Sequence, residues 1–201
     1  MDAVGVALLR EVLAGTGWLR EARRFAGALR GSAVARGGGL LLVGTPGYEP
    51  WHLAAHLDEE AARHGLPELR PTLVRHAVPP GAPAHLSAGL DRRPAAGTLL
   101  VVTPGTEAPG DGLLERVDDV RRGGATVLAL EGGAGDPRLG SLAHEVLRVP
   151  DGAGDGVAPD LDAVQHLVSA AAGEETPRGR RFLDRLSRLA DQLAAPPPHR
   201  W

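Results

Sequence analysis

Two histidines, His52 and His56, stand four residues apart in the run Trp51-His52-Leu53-Ala54-Ala55-His56-Leu57. On a helix that spacing puts both imidazoles on one face, which is a metal-chelating arrangement. Zinc takes three or four ligands, so the pair needs at least one more. His166, within Val164-Gln165-His166-Leu167-Val168, is the candidate third ligand. Each residue also has a plain structural reading: His52 and His56 as solvated side chains near a helix start, His166 as a partly buried helix residue. His64, His76, His85, His144 and His199 show no comparable spacing.

Anion binding is the second chemistry in view. Gly44-Thr45-Pro46-Gly47-Tyr48-Glu49 and Thr103-Pro104-Gly105-Thr106-Glu107 are glycine turns that each follow an apolar run. A turn between a strand and a helix binds phosphate through free N–H groups and the positive end of the helix dipole. Thr45, Thr103 and Thr106 add hydroxyls, while Pro104 withholds an N–H. Either loop can equally serve only to turn the chain. Glu49, Glu59, Glu60 and Glu107 lie in or near these segments, and a carboxylate so placed can abstract a proton beside a carbonyl.

Composition narrows the field. The 201 residues carry 22 basic and 25 acidic side chains, a net charge of −3, which gives no broad electrostatic case for nucleic acid or an anionic membrane. There is no lysine, so any side-chain cation that meets an anion is an arginine, or a histidine when protonated, and Schiff-base chemistry is excluded. There is no cysteine, hence no disulfide, thiolate metal site or thiol nucleophile. The start, Met1-Asp2-Ala3, does not read as a signal peptide. No apolar run approaches the roughly 20 residues of a membrane span. A cytoplasmic location is the expectation.

The elements that must position these residues follow from hydrophobic period. Apolar residues at three- and four-residue spacing predict helix over 3–36, interrupted by Gly15 and Gly17. Leu40–Val43, Thr98–Val102 and Thr126–Leu130 read as short buried strands, and Thr72–Val74 and Glu145–Val149 as two more. Helices are expected over 51–64, 111–122, 137–143 and 160–172, and an amphipathic helix within 178–194 precedes a loose tail at 196–201. Strand, glycine turn and helix repeat, which implies a parallel sheet with right-handed crossovers. The loops after Val43, Val102 and Leu130 should then line one crevice at the carboxyl ends of the strands.

With the elements in this order, the stretch GTPGYEPWHLAAHL (Gly44 to Leu57) resembles the phosphosugar loop and helix of the sugar isomerase (SIS) family, and within it the sedoheptulose-7-phosphate isomerases. These read roughly G-N-G-G-S-A-x-x-x-x-H-x-A-x-E-L. Leu69-Arg70-Pro71-Thr72-Leu73 is similar to the family's R-P-x-L segment, and Ala84 to Asp91 to its H-L-S-x-x-x-N-D segment. The resemblance covers about residues 3–172.

It implies an α/β three-layer α-β-α sandwich with a five-stranded parallel sheet of flavodoxin-like order, in a single domain over 1–195 with its α/β core at 40–172. It places His52 on the family histidine, His56 where the family has a catalytic glutamate, and His166 on the C-terminal catalytic histidine. In some members the matching residues bind zinc, usually across a subunit boundary. Zinc or another divalent metal at His52, His56 and His166 is therefore implied, with His56 and His166 also in catalytic positions, and no nucleotide cofactor. Gly44, Thr45, Gly47, Asp91, Thr103, Gly105 and Thr106 match substrate-binding positions. The implied ligand is a sugar phosphate undergoing aldose–ketose isomerisation; the other reading is a non-catalytic sensor module or an oligomeric pseudoenzyme. The implied protein partner is a second copy, in a homodimer or homotetramer. The chain departs from the family's S-T-S-G-N-S loop, where Thr103 to Ala108 lose hydroxyls and Glu107 adds a negative charge.

Overall fold

The computed structural model describes residues 3–14, 16–36, 39–75, 97–150 and 159–174. Asp91, the helix expected within 178–194 and the tail lie outside the described residues.

The N-terminal helical segment is two helices, α1 (Ala3–Val12) and α2 (Trp18–Arg36), parted at the expected glycines. There follow β1 (Leu40–Val43), α3 (Trp51–His64), β2 (Pro71–Val74), β3 (Thr98–Thr103), α4 (Asp111–Arg122), β4 (Thr126–Gly132), α5 (Pro137–Leu142), β5 (Glu145–Val149) and α6 (Leu161–Gly173). A 3-10 turn, Pro67–Leu69, was not legible in the pattern. It follows the Gly65 cap, whose φ of +64° ends α3 in the left-handed conformation, and it drives Leu69 fully into the core.

All four strand pairs are parallel and the order is β2-β1-β3-β4-β5. Alternate residues of each strand enter opposite cores. Leu40, Leu42, Leu100, Val102, Leu128 and Leu130 meet α2, α3 and α6 on one face. Leu41, Val43, Leu99, Val101, Val127 and Ala129 meet α4 and α5 on the other. This double covering is why the strands read as continuous apolar runs. The α/β three-layer fold and flavodoxin-like order expected from the sequence are those found.

Strand order reverses direction between β1 and β3. The chain leaves β1 toward β2 on one side and leaves β3 toward β4 on the other. Right-handed crossovers in opposite directions place α3 and α4 on opposite faces, so the loops after β1 and β3 diverge and open a crevice at the switch point. Among the described residues no helix is long and apolar enough to cross a membrane.

One cap fixes the loop that leaves β4. The Asp136 carboxylate accepts hydrogen bonds from the Arg138 N–H at 2.7 Å and the Leu139 N–H at 3.4 Å, and starts α5. The bond from the Arg138 side chain and the two backbone bonds hold its carboxyl below the usual range. A lowered folded-state pKa supplies stability that is present above the unfolded value of 3.8 and is lost as pH falls through the folded value. Asp136→Ala should therefore cost about 1 kcal/mol at neutral pH. The difference in unfolding free energy from the unchanged chain should shrink as pH is lowered below 3.8, as denaturant titrations across that range would show.

Candidate functional site

The loop between β1 and α3 is tied down on three sides. On the β2 side, Glu49 Oε1 accepts from Arg75 Nε at 2.6 Å, and Glu49 Oε2 accepts from the exposed indole of Trp51 at 2.7 Å. The Arg75 bond keeps the Glu49 carboxyl below its usual range. On the α6 side, the Tyr48 hydroxyl donates to Gln165 Oε1 at 3.3 Å, and Gln165 Nε2 donates to Asp162 at 3.0 Å. Burial raises the Tyr48 pKa, so the phenol stays a neutral donor. On the β3 side, Glu107 Oε2 accepts from the Thr45 hydroxyl at 2.8 Å and from the Gly47 N–H at 3.2 Å.

This loop delivers the first turn of α3, and α3 packs directly on α6. The result brings His52, His56 and His166 together. His52 Nε2 lies 2.9 Å from His166 Nε2 and 3.1 Å from His56 Nε2, and one ligand nitrogen from each residue falls within 4.8 Å of the others. The three meet within one chain, where the sequence resemblance implied a subunit boundary, because both bearing helices belong to the same core. His52 is exposed, His56 half-buried and His166 only 4% exposed, so the cluster has a floor in the protein and an opening to solvent.

The cluster fits a divalent metal on chemical grounds. A neutral imidazole nitrogen offers one N–H or one lone pair. His52 Nε2 can therefore satisfy only one of its two short contacts as a hydrogen bond. A cation taking three lone pairs satisfies all of them together, and three nitrogens on tetrahedral zinc stand about 3.3–3.4 Å apart, close to the two spacings seen about His52. Burial first, then the neighbouring His56 and His52 rings, push His166 down to about 4. Burial, then His52, lowers His56. Both rings are thus neutral near neutral pH, the form that coordinates metal. Glu59 lies 3.9 Å from His56 Nδ1, which favours the proton there and leaves Nε2 as the ligand atom.

Beside the switch point, a small pocket of about 120 Å³ opens between the loops after β3 and β4. Its lining includes Thr103, Gly105, Glu107, Gly132, Gly135 and Asp136. Gly105 has a φ of +83°, and a Cβ there would meet the Gly132 carbonyl at 2.5 Å, so the two loops touch backbone to backbone. None of the three histidines lines this pocket.

No protein-family profile and no curated protein sequence matches the chain. Solved structures do. The sugar isomerase domain of the RpiR transcription factor from Sphaerobacter thermophilus aligns with a TM-score of 0.50 at 19% identity, over 92% of this chain and 97% of that one. The chain has the fold of a sugar isomerase domain. Looser alignments reach a proposed sugar binding protein from Salmonella typhimurium LT2 (TM-score 0.47, 19% identity, 91% of this chain and 52% of that one). They also reach the Vibrio vulnificus NanR protein complexed with ManNAc-6P (TM-score 0.42, 13% identity, 98% and 77%). The SIS fold implied by the sequence is the one found; the tie to the sedoheptulose-7-phosphate branch rests on the sequence resemblance.

Within this fold the expected site residues separate into two groups. His52, His56 and His166 converge. Thr45 and Gly47 do not converge on open space but on Glu107. Gly44 precedes their turn, Thr103 and Gly105 line the pocket, and Thr106 is exposed in the loop after β3. The carboxylates considered as bases are all engaged: Glu49 as above, Glu59 and Glu60 by Arg63, Glu107 by the β1 loop. Sequence reasoning missed Gln165, which is fully buried beside His166 and tied to Tyr48. Its signal was a polar side chain on a helix whose neighbours are nearly all apolar.

Tyr48→Phe removes that tie and leaves the buried Gln165 carbonyl without its donor, so it should destabilise the chain by about 1–3 kcal/mol. Amide exchange at residues 45–49 should speed up. Unchanged protection there would show that the loop does not depend on the phenol.

Proposed function

We propose that this chain binds a sugar, phosphorylated or not, in the crevice at the carboxyl ends of β1, β3 and β4. In this reading His52, His56 and His166 hold a divalent metal, zinc first, beside that crevice. The observation that carries the proposal is the convergence of three imidazole nitrogens from α3 and α6; the sugar isomerase fold supports the ligand class. A cation bound there would polarise a carbonyl or hydroxyl oxygen of the sugar. The chain's own part is to hold the His56 and His166 nitrogens neutral, to keep His166 oriented in the buried side of α6, and to fix the β1–α3 loop against the site.

The activity that suits this arrangement is aldose–ketose isomerisation, with proton transfer between C1 and C2. A second reading has a specific observation behind it. His56 stands where a glutamate base is expected from the family pattern, and the nearby carboxylates are held by arginines, hydroxyls or backbone. That favours binding without turnover, as in a sensor module. Self-association as a homodimer or homotetramer belongs to the same proposal, supported by the exposure of Leu8 (63%) and Val12 (53%) on α1.

The test is metal content by elemental mass spectrometry, before and after incubation with zinc. About one ion per chain is expected, with His52→Ala and His166→Ala each lowering occupancy while circular dichroism stays native. Cobalt substitution should give the visible bands of a nitrogen-rich site. Equal metal content in the unchanged chain and both variants would sink the trihistidine site. Solvent deuterium entering C2 of an aldose or C1 of a ketose would decide for isomerisation over binding alone.

A further inference from the structure

We propose that Glu107 makes this crevice selective for an unphosphorylated sugar, because its carboxylate already sits where a ligand phosphate would be held. The inference rests on the reading of the crevice as a sugar site and names the class of sugar.

The donors at issue are those that a phosphate needs: the Thr45 hydroxyl and the Gly47 N–H of a turn between a strand and a helix. Both are spent on Glu107 Oε2, at 2.8 and 3.2 Å. Glu107 comes from the loop after β3, so its side chain crosses the switch point between β1 and β3, the part of the crevice where ligands of such sheets bind. The approach is closely fitted. A Cβ at position 47 would meet Glu107 Oε2 at 2.8 Å, so the glycine that would let a phosphate reach the backbone here admits a carboxylate.

Charge points the same way. A phosphate displacing Glu107 would meet that carboxylate again in the pocket it vacates into, together with Asp136, since both line it. Among the described residues, no arginine or histidine is in that lining. Among the described residues, the arginines near the strand ends are committed: Arg75 to Glu49, Arg138 to Asp136 and Asp111, Arg148 to Glu131. The chain contains no lysine to take their place.

A sugar hydroxyl faces the opposite situation. A carboxylate has about four acceptor positions, and Thr45 and Gly47 use two on one oxygen. Hydroxyl groups of a neutral sugar can donate to the rest. Glu107 is thus a specificity-determining residue: it holds the β1 loop, excludes an oxyanion and presents acceptors to a polyol.

The probe is inorganic phosphate, titrated calorimetrically into the full chain, Glu107→Ser and Glu107→Gln. The serine variant frees the two donors, and the glutamine variant keeps the shape while removing the charge. Phosphate should bind at least one of them about tenfold or more tightly than the unchanged chain. Adding Thr45→Val should abolish the gain. Melting curves show which variants are folded, and either one suffices. Phosphate binding the unchanged chain as tightly as the variants, or binding none of the three, would overturn the proposal. A panel of neutral aldoses and ketoses, run on the same proteins, separates the two levels. If phosphate responds as expected but no sugar binds the unchanged chain, the sugar site fails while the occupation of the anion position by Glu107 stands.

Discussion

The site depends on the burial of α6. This helix is wedged between α2, α3 and the sheet, and its buried residues run nearly unbroken from Ala163 to Ser169. A helix enclosed in this way carries polar side chains only where something meets them. Gln165 and His166 are met by Tyr48 on the β1–α3 loop and by the histidines of α3 respectively. The same packing that closes the larger core therefore sets the distance between α3 and α6, and with it the spacing of the imidazoles.

Around that constraint the molecule arranges two different kinds of centre. One is rich in lone pairs, made by three histidines, two of which, His56 and His166, are kept from protonation by burial and by the neighbouring rings. The other is anionic, made by Glu107 of the loop after β3, whose Oε2 is held by Thr45 and Gly47 of the β1–α3 loop. They share one element, the segment from Thr45 to His52, which contacts Glu107 at its start and presents the first histidine at its end. A ligand touching one centre would find the other held in fixed relation to it, because Glu49, Tyr48 and Thr45 anchor the segment to three separate elements.

How much of this the sequence revealed follows from the range of each interaction. Leu40–Val43 and Thr98–Thr103 were legible because a strand buried on both faces must be apolar throughout. The bounds of α3 were legible because Gly65 and Pro67 end it locally. The i, i+4 pair His52 and His56 announced a shared face, but His166 was only a candidate third ligand until the order of segments shared with a known family joined it to them, since its contact spans 114 residues. The partner of Thr45 was harder still. A threonine, a glycine and a glutamate about 60 residues apart carry no periodic signal; the sequence showed an added negative charge without showing that it is accommodated. The 3-10 turn at Pro67–Leu69 and the Glu49–Arg75–Trp51 chain are likewise products of tertiary placement.

The frame around the crevice has its cations in one chemical form only. Arg75, Arg138 and Arg148 face Glu49, Asp136 and Glu131, and each cation is a guanidinium. Such a group keeps its charge far into alkaline solution, where a lysine would begin to lose it near pH 10.4, and it is not a substrate for acylation of lysine amines. The cations of these three ion pairs are therefore indifferent to moderately alkaline solution and to the commonest enzymatic neutralisation of positive charge.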